Sequence, residues 1–134
     1  MKKKVFILML SIVISNSIVA QNTKDVVMSK QSDGTYIVNT TTIAKDVKGF
    51  KGATPLKIFI KSNKIVKVEA LSNHESPNFF SKVKQGLLNK WNNMKVSKAA
   101  KTEIDGVTGA TFSSKAVKEN VKRGIIYYQK NKGK

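Results

Sequence analysis

The sequence predicts a small α+β domain, an antiparallel sheet with helices packed against it, and three observations lead to that class. Residues 55–61 and 64–71 are β-rich runs separated by a short polar turn. Residues 79–94 and 113–128 carry apolar side chains at helical spacing. A further β-rich run at 35–42 follows the turn signal Asp33-Gly34, so strands and helices together predict an α+β class.

The first 20 residues have the layout of a secretory signal peptide. Three lysines precede an apolar run from Val5 to Ile14, and small or polar residues then lead to Ala20. The apolar run is shorter than a membrane-spanning helix requires. We therefore predict cleavage after Ala20 and export to the periplasm or the cell-envelope surface, with an uncleaved anchor as the alternative. The mature chain would comprise a flexible segment at 21–32, one domain at 33–129 and a basic tail at 130–134.

The charge of the chain is strongly positive. Its 25 Lys and Arg against 8 Asp and Glu give a formal charge of +17. Such a charge attracts polyanions, anionic membrane surfaces and acidic proteins. The lysines are spread along the chain instead of forming one arm, so we predict no nucleic-acid partner and regard a solvated basic surface as the simplest interpretation.

The strands are predicted from turn signals and alternation. Asp33-Gly34 is a turn signal, and the β-branched and aromatic residues at 35–42 predict a strand after it. In the run 55–61, Leu56, Ile58 and Ile60 fall on one face. Ser62-Asn63 then separates this run from 64–71, which predicts an antiparallel hairpin.

Two helices are predicted from apolar periodicity. The first, of about 14 to 16 residues, follows the Pro77 loop, and its buried stripe comprises Phe80, Val83, Leu87, Trp91 and Met94. The second begins at Ser113 or Ser114 as N-cap, and its stripe comprises Val117, Val121, Gly124, Ile125 and Tyr128. Residues 96–104 are expected to include a short strand. The helical aromatics are interpreted mainly as core residues: Phe79, Phe80, Trp91, Tyr127 and Tyr128.

The stretch DGVTGATFSS, Asp105 to Ser114, lies just before the second helix. A glycine-containing turn with a serine cap is one explanation for it. The other is a phosphate site, because a helix N-terminus favours anions and small residues admit a ligand close to the backbone. The small residues are Gly109 and Ala110, and the hydroxyl groups belong to Thr108, Thr111 and Ser113. The GxxxxGK[ST] pattern of a nucleotide P-loop is absent from the sequence.

The same stretch resembles the flavinylation motif of the FMN-binding domain family, D-x-x-[ST]-G-A-T-x-[ST], at every specified position from Asp105 to Ser113. That family includes subunits of the sodium-translocating NADH:quinone oxidoreductase and of the Rnf complex. The resemblance extends over about residues 33–128 and includes DGTY at 33–36 and HESPNF at 74–79. It implies that a flavin transferase joins the FMN phosphate to Ser113 through a phosphoester, with Ser114 as the alternative acceptor.

The resemblance also implies roles for other residues. Asp105 would order the loop or be recognised by the transferase, and Thr108 and Thr111 would hydrogen-bond phosphate or ribityl oxygens. The loop residues His74, Glu75, Ser76 and Pro77 would border the flavin ring, and one or two of the helical aromatics could do so as well. Ordinary alternatives stay open, namely a turn aspartate, local threonine bonding and a solvated histidine. One histidine and no cysteine argue against a dedicated metal site, and the lack of cysteine excludes disulfides and a lipoprotein anchor.

The expected function is that of an exported electron carrier with FMN. A carrier is favoured over a stand-alone enzyme because no second nucleotide motif is visible in the sequence. The redox chemistry would be that of the flavin. The expected partners are a flavin transferase for maturation and a membrane-bound or acidic redox partner, attracted by charge. Two alternatives remain: an FMN-dependent oxidoreductase with its own substrate, and a non-redox basic module that binds polyanions.

Overall fold

The computed structural model describes residues 26–134, and the predicted signal peptide at 1–20 lies outside the described residues. Within the described part the α+β prediction is confirmed: an antiparallel sheet is covered by helices. The strands are β1 (Met28–Lys30), β2 (Tyr36–Asn39), β3 (Leu56–Lys61) and β4 (Lys64–Ala70). The helices are α1 (Pro77–Gly86), a 3-10 helix (Leu88–Trp91), α2 (Val96–Ala99) and α3 (Thr111–Asn131).

The sheet is a meander in which each strand pairs with the next in the order β1-β2-β3-β4. The predicted hairpin is confirmed as β3 and β4, with Lys61 opposite Lys64. Its two turn residues, Ser62 and Asn63, have positive φ values of 53° and 61°. Two successive left-handed residues match the twist of a two-residue hairpin turn, which explains the short connection.

The core lies between one face of the sheet and α3. Leu56, Ile58 and Ile60 of β3 are fully buried, as their alternation predicts. Val117, Val121 and Ile125 of the apolar stripe on α3 are fully buried. At Gly124 an added Cβ would overlap the Ile58 side chain, so glycine permits the close approach of α3 to β3.

A buried polar cluster fixes α3 against the sheet, and we call it the Asn120 cluster. The Thr40 hydroxyl donates to Asn120 Oδ1 at 2.5 Å and accepts from the backbone N–H of Leu56 at 2.9 Å. Asn120 Nδ2 donates to the carbonyl of Ala116 at 2.9 Å. Thr40 and Asn120 are fully buried, so these bonds determine how α3 sits on the sheet.

Several predicted boundaries differ from the structure. The strand predicted at 35–42 corresponds to β2, which covers only Tyr36–Asn39. The first predicted helix is divided into α1 and the 3-10 helix, since Gly86 is a poor helix former and ends α1. The segment 21–32, predicted to be flexible, contains the edge strand β1. The last helix continues to Asn131, beyond the predicted start of the basic tail.

Two local predictions were wrong. The short strand expected within 96–104 is absent from the described residues there, and Val96–Ala99 form the helix α2 instead. The predicted serine N-cap is also wrong, because α3 begins at Thr111 and Ala110 occupies the N-cap position. Ser113 and Ser114 lie in the first turn, where their hydroxyls bond to Glu75 and to the backbone N–H of Val107. Tertiary hydrogen bonds therefore replace the local capping bond that the sequence suggested.

None of the helices within residues 26–134 has the length and apolar character needed to cross a membrane.

Candidate functional site

The site is organised around the carboxylate of Glu75, which lies in the loop between β4 and α1. Its side chain is only 5% exposed. Oε1 accepts the backbone N–H of Phe50 at 2.7 Å. Oε2 accepts the N–H groups of Lys51 at 2.6 Å and Gly52 at 3.2 Å. Three successive backbone donors therefore converge on one carboxylate and order the loop that carries Phe50.

Ser113 connects this carboxylate to the first turn of α3. Its hydroxyl donates to Glu75 Oε1 at 2.5 Å, and the residue is 3% exposed. Gly49 lies against the same carboxylate, and a Cβ at this position would overlap Glu75 Oε1. Glycine at 49 thus makes room for a buried charge between α3 and the loop at 50–52.

The hydrogen bonds keep the Glu75 carboxylate ionised. Burial alone would raise its pKa. The donors Ser113 Oγ and the backbone N–H groups of Lys51, Phe50 and Gly52 outweigh that effect, so the pKa of Glu75 lies below its usual value. At neutral pH the site therefore contains a buried negative charge.

The loop before α3 folds back onto the helix. Ser114 Oγ accepts the N–H of Val107 at 3.0 Å, and the Ala110 N–H donates to the Val107 carbonyl at 3.1 Å. A Cβ on Gly106 would lie 2.9 Å from the Ser114 Cβ, and Gly109 has a positive φ of 86°. Both glycines are therefore required by the shape of this loop.

An apolar cavity of about 360 Å³ opens beside the loop. Its walls are the rings of Phe50, Phe79 and Phe112 together with the segment 109–113. These rings are 65%, 48% and 61% exposed, respectively. The rings of Phe50 and Phe112 lie 6.1 Å apart and are tilted by 34°. Three exposed phenylalanines around one cavity form a surface suited to a planar aromatic ligand.

The sequence identified only part of this surface. Phe50 and Phe112 were not named as site residues, and Phe79 was interpreted as a core residue although it is half-exposed. Only the position of Phe112 inside the DGVTGATFSS stretch could have pointed to it. Phe50 lies 25 residues before Glu75, and nothing in the local pattern connects the two.

The structure brings five of the predicted site residues together. Gly109, Ala110, Thr111 and Ser113 line the cavity, and Glu75 bonds to Ser113. Within residues 26–134 the cavity wall does not include five other predicted residues: Asp105, Thr108, His74, Ser76 and Pro77. Asp105 is exposed, and its backbone carbonyl accepts from Lys90 Nζ at 3.2 Å.

A larger, polar cleft of about 520 Å³ lies between residues 99–104 and α3. Lys101, Lys115, Lys118 and Lys122 line it. Two carboxylates nearby are already paired, Glu103 with Lys118 and Glu119 with Arg123. The cleft therefore has an excess of positive charge. Residues 26–134 contain no cluster of side chains that could hold a metal ion.

Comparison with known families gives one match. A family model described as FMN-binding domain matches residues 49–126. That range contains the three phenylalanines, Glu75 and the segment 109–113 of the site. No curated protein and no solved structure matches the chain.

Proposed function

Because the chain belongs to the FMN-binding domain family, we propose that it is an electron carrier whose FMN occupies the phenylalanine-lined cavity. The observation that carries this proposal is the position of that cavity at the first turn of α3. An aromatic wall and a helix N-terminus meet there, which suits a ligand with a planar ring at one end and a phosphate at the other.

The residues present fit FMN in both of its parts. The rings of Phe50, Phe79 and Phe112 would contact the isoalloxazine, and the first turn of α3 would receive the phosphate. Gly109 has no side chain to obstruct the approach of the ligand to the loop backbone. When bound, FMN supplies the electron-transfer chemistry, and the protein supplies position and electrostatics.

Thr111 is the better-placed attachment residue, and we propose it in place of Ser113, which the resemblance implied. The Ser113 hydroxyl is buried and donates to Glu75 at 2.5 Å, so a transferase would have to break that bond to reach it. Thr111 is exposed, is the first residue of α3 and lines the cavity. An exposed hydroxyl at a helix N-terminus is accessible to the enzyme and close to a favourable site for phosphate.

The attachment requires an activated donor, which we propose is a flavin dinucleotide. The Thr111 hydroxyl oxygen forms a new bond to the phosphorus on the flavin side of the pyrophosphate. The pyrophosphate P–O bond breaks, and the nucleoside monophosphate leaves with its electron pair. The hydroxyl proton passes to a base of the transferase, and no oxidation or reduction takes place.

The size of the cavity favours a carrier over an enzyme with its own substrate. Ligand cavities commonly measure about 300–1,000 Å³, and this one, at about 360 Å³, lies near the lower limit. Within residues 26–134, its walls offer only the hydroxyls of Thr111 and Ser113 as polar side-chain groups that could orient a second molecule. The oxidoreductase alternative is therefore less favoured.

We also propose that the carrier acts after export. The predicted signal peptide supports this location, and a covalent bond would prevent the loss of FMN outside the cell membrane. Without the three lysines of the predicted signal peptide the formal charge of +17 becomes +14, which would still steer the carrier toward an acidic or membrane-bound redox partner.

The test is the intact mass of the denatured protein after co-expression with a flavin transferase, followed by peptide mapping. We expect an added mass of one FMN less one water on the peptide that contains Thr111. Thr111→Ala should abolish the addition, Thr111→Ser should retain it, and Ser113→Ala should also retain it. If the added mass were lost in Ser113→Ala but kept in Thr111→Ala, Ser113 would be the attachment residue.

Other outcomes of the same test separate the remaining functions. A yellow native protein without added mass would contradict covalent attachment and raise the oxidoreductase alternative. A colourless protein, with a transferase that modifies a control substrate, would contradict the flavin carrier.

A second candidate function, polyanion binding, is favoured by the lysine-lined cleft between residues 99–104 and α3. Salt-dependent retention of flavin-free protein on heparin, weakened by Lys115→Gln with Lys122→Gln, would support it.

A further inference from the structure

Lys82 lies at the edge of the phenylalanine-lined cavity. It belongs to the second turn of α1, and its Nζ is 3.1 Å from the point that a Cβ on Gly109 would occupy. The same Nζ lies 5.7 Å from the centroid of the Phe79 ring. The ammonium group is therefore held between one wall of the cavity and the loop that leads to Thr111.

We infer that Lys82 pairs with the phosphate of FMN and positions it at the first turn of α3. The inference rests on the proposed function and adds a specific residue to it. Gly109 is two residues before Thr111, so the ammonium lies beside the segment on which the phosphate would lie. The flexible lysine stem can move its charge over that short distance.

The charges of the site explain why a cation is needed there. The buried carboxylate of Glu75 bonds to Ser113 in the first turn of α3, so a phosphate at Thr111 would be close to a like charge. The helix N-terminus offers only about half an elementary charge to offset this repulsion. An ammonium group beside Gly109 would supply a full charge.

The surroundings of Lys82 keep that ammonium available. Among residues 26–134 the five ion pairs do not involve Lys82. Its contact with the face of Phe79 is a cation–π interaction, which orients the ammonium without neutralising it. A Cβ on Gly109 would lie 3.1 Å from Lys82 Nζ, so the ammonium would have to shift slightly to make room for it.

Lys82 lies beside Gly109, in the loop that leads to the proposed phosphate position at Thr111. Its other neighbour in the site is the ring of Phe79. This placement favours the phosphate over the isoalloxazine as its partner. A comparison of FMN with riboflavin, which lacks the phosphate, separates the two.

The experiment uses the chain produced without a transferase and titrated with FMN or riboflavin, with quenching of flavin fluorescence as the readout. We expect Lys82→Gln to raise the Kd for FMN about tenfold, the effect of losing one charged hydrogen bond. The Kd for riboflavin should change less than twofold. Lys82→Arg should restore FMN binding, because it retains the charge. Lys84→Gln is the matched control, since Lys84 is two residues further along α1 and lines a different cavity.

Each alternative result overturns the inference in a distinct way. Equal weakening of FMN and riboflavin would assign Lys82 to the ring or to packing. Unchanged FMN binding in Lys82→Gln would refute the role of Lys82 while the proposed FMN site stands. A wild-type chain that binds neither flavin would refute a non-covalent phosphate contact at Lys82, while the covalent site is tested separately by the intact-mass measurement.

Discussion

Two buried polar clusters attach α3 to the rest of the domain, and they differ in charge and in surroundings. The Asn120 cluster is neutral, and its side chains Thr40 and Asn120 are fully buried. The second, which we call the Glu75 cluster, contains a carboxylate that accepts from Ser113 and from three backbone N–H groups. It also adjoins a cavity lined by exposed phenylalanines. The neutral cluster orients a helix, whereas the charged cluster builds a binding surface.

The charge is useful at the site because a carboxylate can order several backbone donors at once. Glu75 has two oxygens with multiple acceptor positions, and it binds the successive N–H groups of residues 50–52. An amide such as Asn120 could accept fewer of them. Glu75 thereby holds Phe50 beside Phe112, so it is a positioning residue for the aromatic wall.

The largest effect is expected when the charged cluster is broken. Glu75→Ala would leave three backbone donors and the Ser113 hydroxyl without their acceptor. We expect the free energy of unfolding to fall by about 3 kcal/mol, measured by urea denaturation. The Kd for FMN should also rise more than about tenfold, because Phe50 loses the contact that orders its loop.

The control for that variant is Glu69→Ala, which removes an exposed carboxylate paired with Lys67. Glu69→Ala should lower the free energy of unfolding by less than about 1 kcal/mol.

The pH dependence of stability gives a second check on Glu75. Because the pKa of Glu75 is lowered on folding, its ionisation stabilises the protein above the unfolded pKa of about 4.3. That contribution is lost as the pH falls through the folded pKa. The stability difference between wild type and Glu75→Gln should therefore shrink below about pH 4, and a constant difference would contradict this account.

A smaller effect is expected from breaking the neutral cluster. Asn120→Ala removes the acceptor of the Thr40 hydroxyl in a fully buried place. We expect a loss of about 2 kcal/mol in unfolding free energy, again measured by urea denaturation. The Kd for FMN should stay within twofold of wild type, because the cavity wall lies at the other cluster.

Asn131→Ala is the matched control for Asn120→Ala. Asn131 makes the same type of bond to a carbonyl four residues earlier, that of Tyr127, but near the end of α3. Asn131→Ala should lower the free energy of unfolding by less than about 0.5 kcal/mol. If Asn120→Ala weakened FMN binding as strongly as Glu75→Ala, the two clusters would be coupled and the distinction between them would fail.

The apolar framework could be predicted from the sequence, whereas most of the site could not. Alternation placed Leu56, Ile58 and Ile60 in the core, and helical spacing placed Val117 and Ile125 there. These patterns are local, and each reflects the geometry of a single element. The hairpin was equally predictable because its two-residue turn closes it locally.

The polar contacts of the site depend on residues that are distant in sequence. Glu75 accepts hydrogen bonds from backbone N–H groups 23 to 25 residues away. The pattern of side chains in the sequence does not indicate which backbone N–H groups will bind it. Ser113 and Ser114 are residue types that often cap helices, but here their hydroxyls form hydrogen bonds to Glu75 and to the backbone N–H of Val107. Phe79 is adjacent to the predicted stripe on the first helix, and only the structure shows that its ring belongs to an exposed aromatic wall and not to the core.

The smallest effect is expected from two glycines that share a backbone conformation but differ in surroundings. Gly34, in the turn between β1 and β2, has φ of 92°, and Gly109, in the site, has φ of 86°. A Cβ on Gly34 would meet nothing within 4 Å, whereas one on Gly109 would lie 3.1 Å from Lys82 Nζ. Each change to alanine should cost about 1 kcal/mol in unfolding free energy, because the left-handed conformation disfavours a side chain.

Flavin binding should distinguish these two variants. Gly109→Ala would displace the Lys82 ammonium and weaken FMN binding severalfold, whereas Gly34→Ala should leave the Kd unchanged. Titration with FMN, beside thermal unfolding of both variants, measures the two effects separately. Equal Kd values for Gly109→Ala and wild type would mean that Lys82 can move aside without weakening FMN binding. Glycine at 109 would then be needed only for the backbone conformation of the loop. A weaker Kd in Gly109→Ala at a stability equal to that of Gly34→Ala would separate the binding role of this glycine from its backbone role.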